Sequence, residues 1–153
     1  MDNLTFSPID IYVLDPENPQ KNYNLAVWYH KKGQTAAAIS FYLRAAERTD
    51  DKDLSYECLL LAALCFDKQG NRTQTVKNLF RHAVTLIPNR PEAYFLLSRF
   101  HEYNKEYNEG YLIASVGLGF VKNNKPTLND IGYVGKYGLI FEKAVCAWWW
   151  GKT

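Results

Sequence analysis

The amino-acid sequence predicts an all-α fold, an α-solenoid of about three helical hairpins followed by a solitary C-terminal helix. The first observation is an internal repeat, because three successive stretches each pass from an apolar segment through a polar turn into a second apolar segment. The second is the spacing of the turns, since Gly33 and Gly70 are 37 residues apart and Lys105 follows 35 residues later. The third is that apolar residues recur every three or four positions, as on one face of an α-helix.

The composition excludes several classes of protein. The chain has 153 residues, of which 47% are apolar and 22% charged, so disorder, collagen and a transmembrane bundle are not expected. The net charge of +2 provides no attraction for nucleic acid or an anionic membrane, and neither is expected as a partner. The distinctive feature is the aromatic content of 15%, which the fold has to accommodate.

The three cysteines indicate a reducing compartment. Cys58, Cys65 and Cys146 show no paired spacing, so we expect buried, reduced thiols and a cytoplasmic location. The N-terminus has no secretory signal pattern. The longest apolar run, from Cys58 to Phe66, is far shorter than the roughly 20 residues that a membrane span needs.

The chain is expected to consist of an N-terminal cap, three hairpins, a loop and a half-repeat. Residues 1–18 are expected to be extended and to cap the first hairpin, because Pro8, Pro16 and Pro19 disfavour a long helix. The remaining segments are, in order, hairpins at 19–52, 53–89 and 90–122, a loop at 123–136 and a half-repeat C-terminal helix at 137–153.

The repeat resembles the tetratricopeptide repeat (TPR) family, whose units carry small and aromatic residues at fixed places on two helices. The matching residues, unit by unit, are Leu25-Ala26, Tyr29, Gly33, Ala38, Tyr42 and Ala45; Ala62-Ala63, Phe66, Gly70, Phe80, Ala83 and Pro88; and Tyr94, Leu97-Ser98, His101, Tyr107, Gly110, Ala114 and Gly117. The second unit departs at Val76, where the family usually has alanine, and the third lacks the turn glycine. The resemblance implies a right-handed superhelix whose concave groove receives a peptide or protein.

The groove residues that this resemblance implies lie on the first helix of each hairpin. They are Tyr23, Val27, His30 and Lys31 in the first repeat, Leu60, Leu64, Asp67 and Lys68 in the second, and Phe95, Arg99, Glu102 and Tyr103 in the third. The family's clamp for a peptide's terminal carboxylate is not expected, because Tyr23 and Val27 stand where that clamp has lysine and asparagine. The alternative is that these side chains only contact neighbouring helices.

A narrower resemblance links the chain to the TPR regions attached to glycosyltransferases of marine bacteria and their phages. The phrases that carry it are NYNLAVWYHKKGQT, RPEAYFLLSRFHEY and YGLIFEKAVCAWWWGKT. It implies an alternative function, an accessory or truncated TPR part of a glycosyltransferase system in glycan assembly. The leading prediction remains a non-catalytic protein-interaction scaffold, since no glycosyltransferase catalytic domain fits in these residues.

No residues point to catalysis, a metal or a cofactor, and none is expected. His30, His82 and His101 each lack a carboxylate or cysteine at ligand spacing, and no nucleophile, zinc or nucleotide motif occurs. The glycine pattern from Gly132 to Gly138 is expected to be a flexible connector. Its alternative is an anion site at the start of the last helix.

The run Trp148-Trp149-Trp150 is the most conspicuous local feature. Three successive helical residues span about 200° around the axis, so one packed face cannot bury all three. We expect one or two of them to pack on the third hairpin. The rest are expected to form an interface, with a second copy as a homodimer or with another protein.

Overall fold

The structure is a computed structural model, and it describes residues 6–151. Within that range the fold is all-α, as predicted, and contains eight α-helices. The helices are α1 (Pro8–Leu14), α2 (Pro19–Lys31), α3 (Thr35–Arg48), α4 (Lys52–Gln69), α5 (Thr73–Leu86), α6 (Glu92–Tyr103), α7 (Tyr107–Leu118) and α8 (Lys136–Trp150), with a 3-10 turn at Val121–Asn123.

The chain divides into two compact units. The first extends to Val76 and contains α1 to α4, and the second starts at Lys77 and contains α6 to α8. The division falls inside α5, the second helix of the second predicted hairpin.

The prediction of an extended segment at residues 1–18 is wrong over residues 8–14, which form α1, and residues 1–5 lie outside the described part of the chain. The hydroxyl of Ser7 accepts a hydrogen bond from the amide of Asp10, whose carboxylate accepts one from the Ser7 amide, which is a complete capping box. Pro8 occupies the first turn, where a missing N–H costs nothing, and Pro16 follows the helix end. The prolines therefore bracket a short helix, and its Tyr12 ring packs edge-on against Phe41 at 5.2 Å.

The first unit is built from α2, α3 and α4, with α3 packed against both of the others. The buried side of α3 carries Ala38, Tyr42 and Ala45, and the two alanines have no exposed surface. Small side chains let the neighbouring helices approach closely while Tyr42 fills the remaining space. Gly33 and Gly70 end α2 and α4 with φ angles of 77° and 79°, a left-handed conformation that glycine adopts without strain.

The second unit is built from α6, α7 and α8, with α8 packed on both α6 and α7. Glycines of α7 allow close packing on both neighbours: a Cβ atom at Gly110 would lie 2.7 Å from the Cys146 sulfur of α8, and one at Gly117 would lie 2.6 Å from the Tyr94 Cβ of α6. The turn between α6 and α7 has Lys105 at φ 60°, so a lysine adopts the left-handed conformation that glycine supplies in the earlier turns.

Candidate protein-binding faces

Two of the expected groove residues in the first unit are buried in its interior. Tyr23 and Leu60 are almost completely shielded from solvent, so neither lines an open groove, contrary to the prediction. The Tyr23 hydroxyl donates a hydrogen bond to the carboxylate of Glu57, itself buried. This bond joins α2 to α4 across 34 residues of sequence, so Tyr23 holds adjacent repeats together.

The remaining expected residues of the first unit lie further along the same two helices. Val27 and His30 follow Tyr23 by four and seven residues, and Leu64 and Lys68 follow Leu60 by four and eight, spacings that keep each set on one helix face. Val27, His30 and Leu64 are half-buried. The solvent-exposed members are Lys31, Asp67 and Lys68. We call the set Val27, His30, Lys31, Leu64, Asp67 and Lys68 the α2–α4 face.

His30 links this face to the interior. Its Nδ1 atom lies 2.9 Å from the Tyr42 hydroxyl, and the two rings meet edge-on. Partial burial lowers the pKa of His30, and the nearby positive charge of Lys68 lowers it further. The imidazole is therefore mostly neutral at neutral pH, and the face has its basic charge on Lys31 and Lys68 rather than on His30.

In the second unit, the chain itself covers one of the expected groove residues, Phe95. Phe95 is buried beneath Tyr133, whose ring meets it edge-on at 5.9 Å, and the Arg99 guanidinium lies 5.1 Å from the centre of the Phe95 ring. Phe95 therefore does not line an open groove. Glu102 is half-buried and Tyr103 is exposed. A Cβ atom at Gly138 would lie 2.8 Å from the Phe95 ring, so this glycine serves packing of α8 on α6.

Glu142 is a buried carboxyl on α8 that the sequence analysis did not single out. It is only 3% exposed, and its Oε2 atom has no hydrogen-bond partner among the described residues. Burial raises the pKa of Glu142 to about 7; the negative charge of Glu102 raises it further, whereas Arg99 opposes the shift. In the sequence, the burial of Glu142 is indicated by helical periodicity alone, since Glu142 lies three residues after Leu139 and four before Cys146, both fully buried.

Two rings of the tryptophan run contact α7, and all three rings are exposed. The Trp149 ring stacks on Tyr107 at 6.0 Å, and the Trp150 ring lies 5.6 Å from Tyr111, so both contact α7 of the third hairpin. The Lys143 ammonium also lies over the Tyr111 ring. All three rings nevertheless keep exposed surface: Trp148 is 69% exposed, Trp149 64% and Trp150 38%.

A cavity of about 320 Å³ lies where the chain enters α6 and leaves α7. Its lining residues are Ile87, Asn89, Arg90, Lys122, Asn123, Asn124 and Lys125. The Arg90 guanidinium forms an ion pair with the buried Glu92 at 2.7 Å, and the same carboxylate accepts the Lys125 amide at 3.0 Å. Glu92 thus neutralises the buried arginine and attaches the segment after α7 to the start of α6.

The described residues provide little for catalytic chemistry. Across residues 6–151, histidine, cysteine and carboxylate side chains nowhere gather in a group of three able to hold a metal ion. All three cysteines are free and buried, and burial raises the pKa of Cys65 and of Cys146 to about 11, which disfavours the reactive thiolate. Every helix in that range is too short or too polar to span a lipid bilayer.

Two solved structures, both described as crystal structures of MamA, a TPR-fold protein, are similar to this chain. One has a TM-score of 0.62 at 14% identity and covers 95% of this chain and 85% of MamA. The other has a TM-score of 0.62 at 16% identity and covers 95% of this chain and 76% of MamA. No protein-family model and no curated protein matches the sequence. At these identities the likeness concerns the fold, and the fold is a TPR-like α-solenoid.

Proposed function

We propose that the chain is a non-catalytic protein-interaction scaffold whose α2–α4 face binds a segment of another protein. The observation that carries the proposal is the combination on that face of half-buried apolar side chains, Val27 and Leu64, with the exposed side chains of Lys31 and Lys68. The TPR-like fold supports it, because such repeats present extended binding surfaces. The three buried thiols favour the cytoplasm as its location.

The face favours a segment with an apolar side chain and a nearby carboxylate. An apolar side chain would complete the burial of Val27 and Leu64, and a carboxylate would balance the two lysines. Asp67, on the same face, provides the opposite charge and would orient the segment. The expectation of a continuous groove that includes Phe95 is not part of this proposal, because Phe95 is buried, with the Tyr133 ring against it, and α8 packs on α6.

The alternative, an accessory part of a glycosyltransferase system, stays a prediction from three sequence phrases. Neither a family model nor a curated protein connects the chain to such enzymes. The scaffold proposal does not depend on that link.

The proposal is tested by selecting peptides from a random displayed library on the immobilised full chain and titrating them by isothermal calorimetry. We expect acidic, apolar-containing peptides whose affinity falls at least about 10-fold in Leu64→Asp and in Lys68→Glu, a loss equivalent to about 1.4 kcal/mol. The matched controls are Leu128→Asp and Lys122→Glu, exposed residues outside the face, which should leave binding unchanged. Equal affinity for the face variants and the wild type would contradict the proposal, as would a selection that enriches no peptide.

A further inference from the structure

The outer side of α8 carries a continuous apolar stripe. Its members are Tyr137, Ile140, Phe141, Ala144 and Trp148, all exposed, and we call this set the α8 stripe. Their spacing of three and four residues places them on one side of the helix, opposite the buried Leu139, Glu142 and Cys146. Tyr137 is 82% exposed, Trp148 69% and Phe141 63%, so three large rings face solvent on this side of the helix.

No charge interrupts this stripe. The charged residues of α8 are Lys136, Glu142 and Lys143. Glu142 is buried on the opposite side, Lys143 lies over the Tyr111 ring of α7, and Lys136 precedes the first stripe residue at a rotation of about 100°. An uncharged surface of this kind matches an equally apolar one and offers nothing that would recognise a charged segment.

We propose that the α8 stripe is the interface of a homodimer in which two α8 helices pack antiparallel across a two-fold axis. An axis passing between positions 142 and 143 sets Tyr137 against Trp148 of the second copy, and Phe141 against its Ala144. Each large ring then meets either another ring at the end of the stripe or the smallest side chain at its centre. The pattern is self-complementary, as an isologous interface requires.

The area of the stripe suits a dimer. Full burial of one aromatic side chain removes about 150–250 Å² from solvent, so the exposed parts of the three rings amount to roughly 300–600 Å² per chain. Ile140 and Ala144 add to this, which brings the total to the lower end of the size range of specific interfaces, about 600 Å² per partner. The stripe is about 16 Å long at 1.5 Å per residue. Trp149 and Trp150 lie about 100° and 200° further round the helix than Trp148, outside the stripe, and their rings contact α7 of their own chain, although Trp149 is still 64% exposed.

The inference is independent of the α2–α4 face, since the two proposals use different residues. Its test is the mass of the full chain by sedimentation equilibrium between about 1 and 100 µM, with two complementary charge variants. Tyr137→Glu and Trp148→Lys each place a charge in both two-fold copies of one contact. Each is expected to weaken dimerisation at least about 100-fold, because one substitution removes both symmetry-related copies of the contact. The charges also suit the helix ends at which they stand, so the fold should persist.

Mixing the two variants tests the antiparallel register. In a mixed pair, the glutamate introduced by Tyr137→Glu in one chain faces the lysine introduced by Trp148→Lys in the other. The second two-fold contact of that pair keeps the wild-type Tyr137 and Trp148. We expect the mixture to form a dimer and each variant alone to remain a monomer. The matched control is Leu14→Asp, an exposed apolar residue of α1, which should dimerise like the wild type.

Three results would overturn the inference. A wild-type chain that remains a monomer at 100 µM would mean that the stripe has a different occupant, such as another protein. Dimers of either single variant at wild-type strength would place the interface elsewhere. A mixture that stays monomeric while the wild type dimerises would rule out the antiparallel register. Circular dichroism of each variant establishes that loss of the dimer is not loss of the fold.

Discussion

Replacing Glu142 by glutamine should remove a pH-dependent weakness from the second unit. The carboxyl is 3% exposed, its Oε2 atom lacks a hydrogen-bond partner among the described residues, and burial raises its pKa from 4.5 to about 7. In the unfolded chain the group ionises near its ordinary value, so between about pH 4.5 and pH 7 the folded protein binds more protons than the unfolded one. The free energy of unfolding therefore falls as the pH rises through this window.

The magnitude follows from the size of the shift. A difference of about 2.5 pH units at about 1.4 kcal/mol per unit corresponds to about 3 kcal/mol of stability, lost in full above pH 7. Glu142→Gln keeps the size of the side chain and cannot ionise. We therefore expect the advantage of the variant over the wild type to grow by about 2–3 kcal/mol between pH 5 and pH 8.

The assay is urea denaturation of both proteins at pH 5, 6, 7 and 8, followed by tryptophan fluorescence. His101 also titrates here, since burial lowers its pKa, but it is common to both proteins and cancels in their difference. The control is Glu109→Gln on α7, which makes the same substitution at an exposed glutamate. A difference between Glu142→Gln and the wild type that is flat from pH 5 to pH 8 would refute the reasoning.

Three further changes test the packing of the fold. Lys105→Gly should raise the free energy of unfolding by about 1 kcal/mol, because φ 60° strains a lysine. The control Asn104→Gly, at φ −90°, should lower it by about 0.5–1 kcal/mol, and changes of the same sign for both variants in urea denaturation would contradict this. Glu92→Leu should lower the free energy of unfolding by about 3–5 kcal/mol, because it removes the carboxylate that pairs with Arg90. Adding Arg90→Met should restore much of this stability, and a double variant as unstable as Glu92→Leu alone would contradict the reasoning. The cysteines should react with a disulfide reagent at pH 8 at least about 100-fold faster in urea than in the native chain, because Cys65 and Cys146 are buried and their pKa values are raised. Equally fast reaction of the thiols in the native chain would be inconsistent with that burial.

The hairpins were predictable because their signals are local. Gly33 and Gly70 mark turns by backbone conformation alone, and the small residues of α3 follow the helical period. The helix α1 was also predictable, since Ser7 and Asp10 have the spacing of a capping box in the sequence. The prolines misled the prediction because their effect depends on position: Pro8 at the first turn favours a helix that it would break further along.

The candidate site was less predictable because burial depends on residues far apart in the sequence. The repeat pattern places Phe95 on the first helix of its hairpin, but it does not show that Tyr133 lies over that ring. In the same way, the three tryptophans look alike in the sequence, which does not show that the rings of Trp149 and Trp150 contact α7.

The central claim, that a protein segment binds to the α2–α4 face, is tested most directly by amide hydrogen exchange of the full chain with and without a selected peptide. Bound peptide should slow exchange in α2 and α4, most strongly around Val27 and Leu64, and leave α8 unchanged. Protection confined to α6 to α8, or no protection at saturating peptide, would contradict the claim.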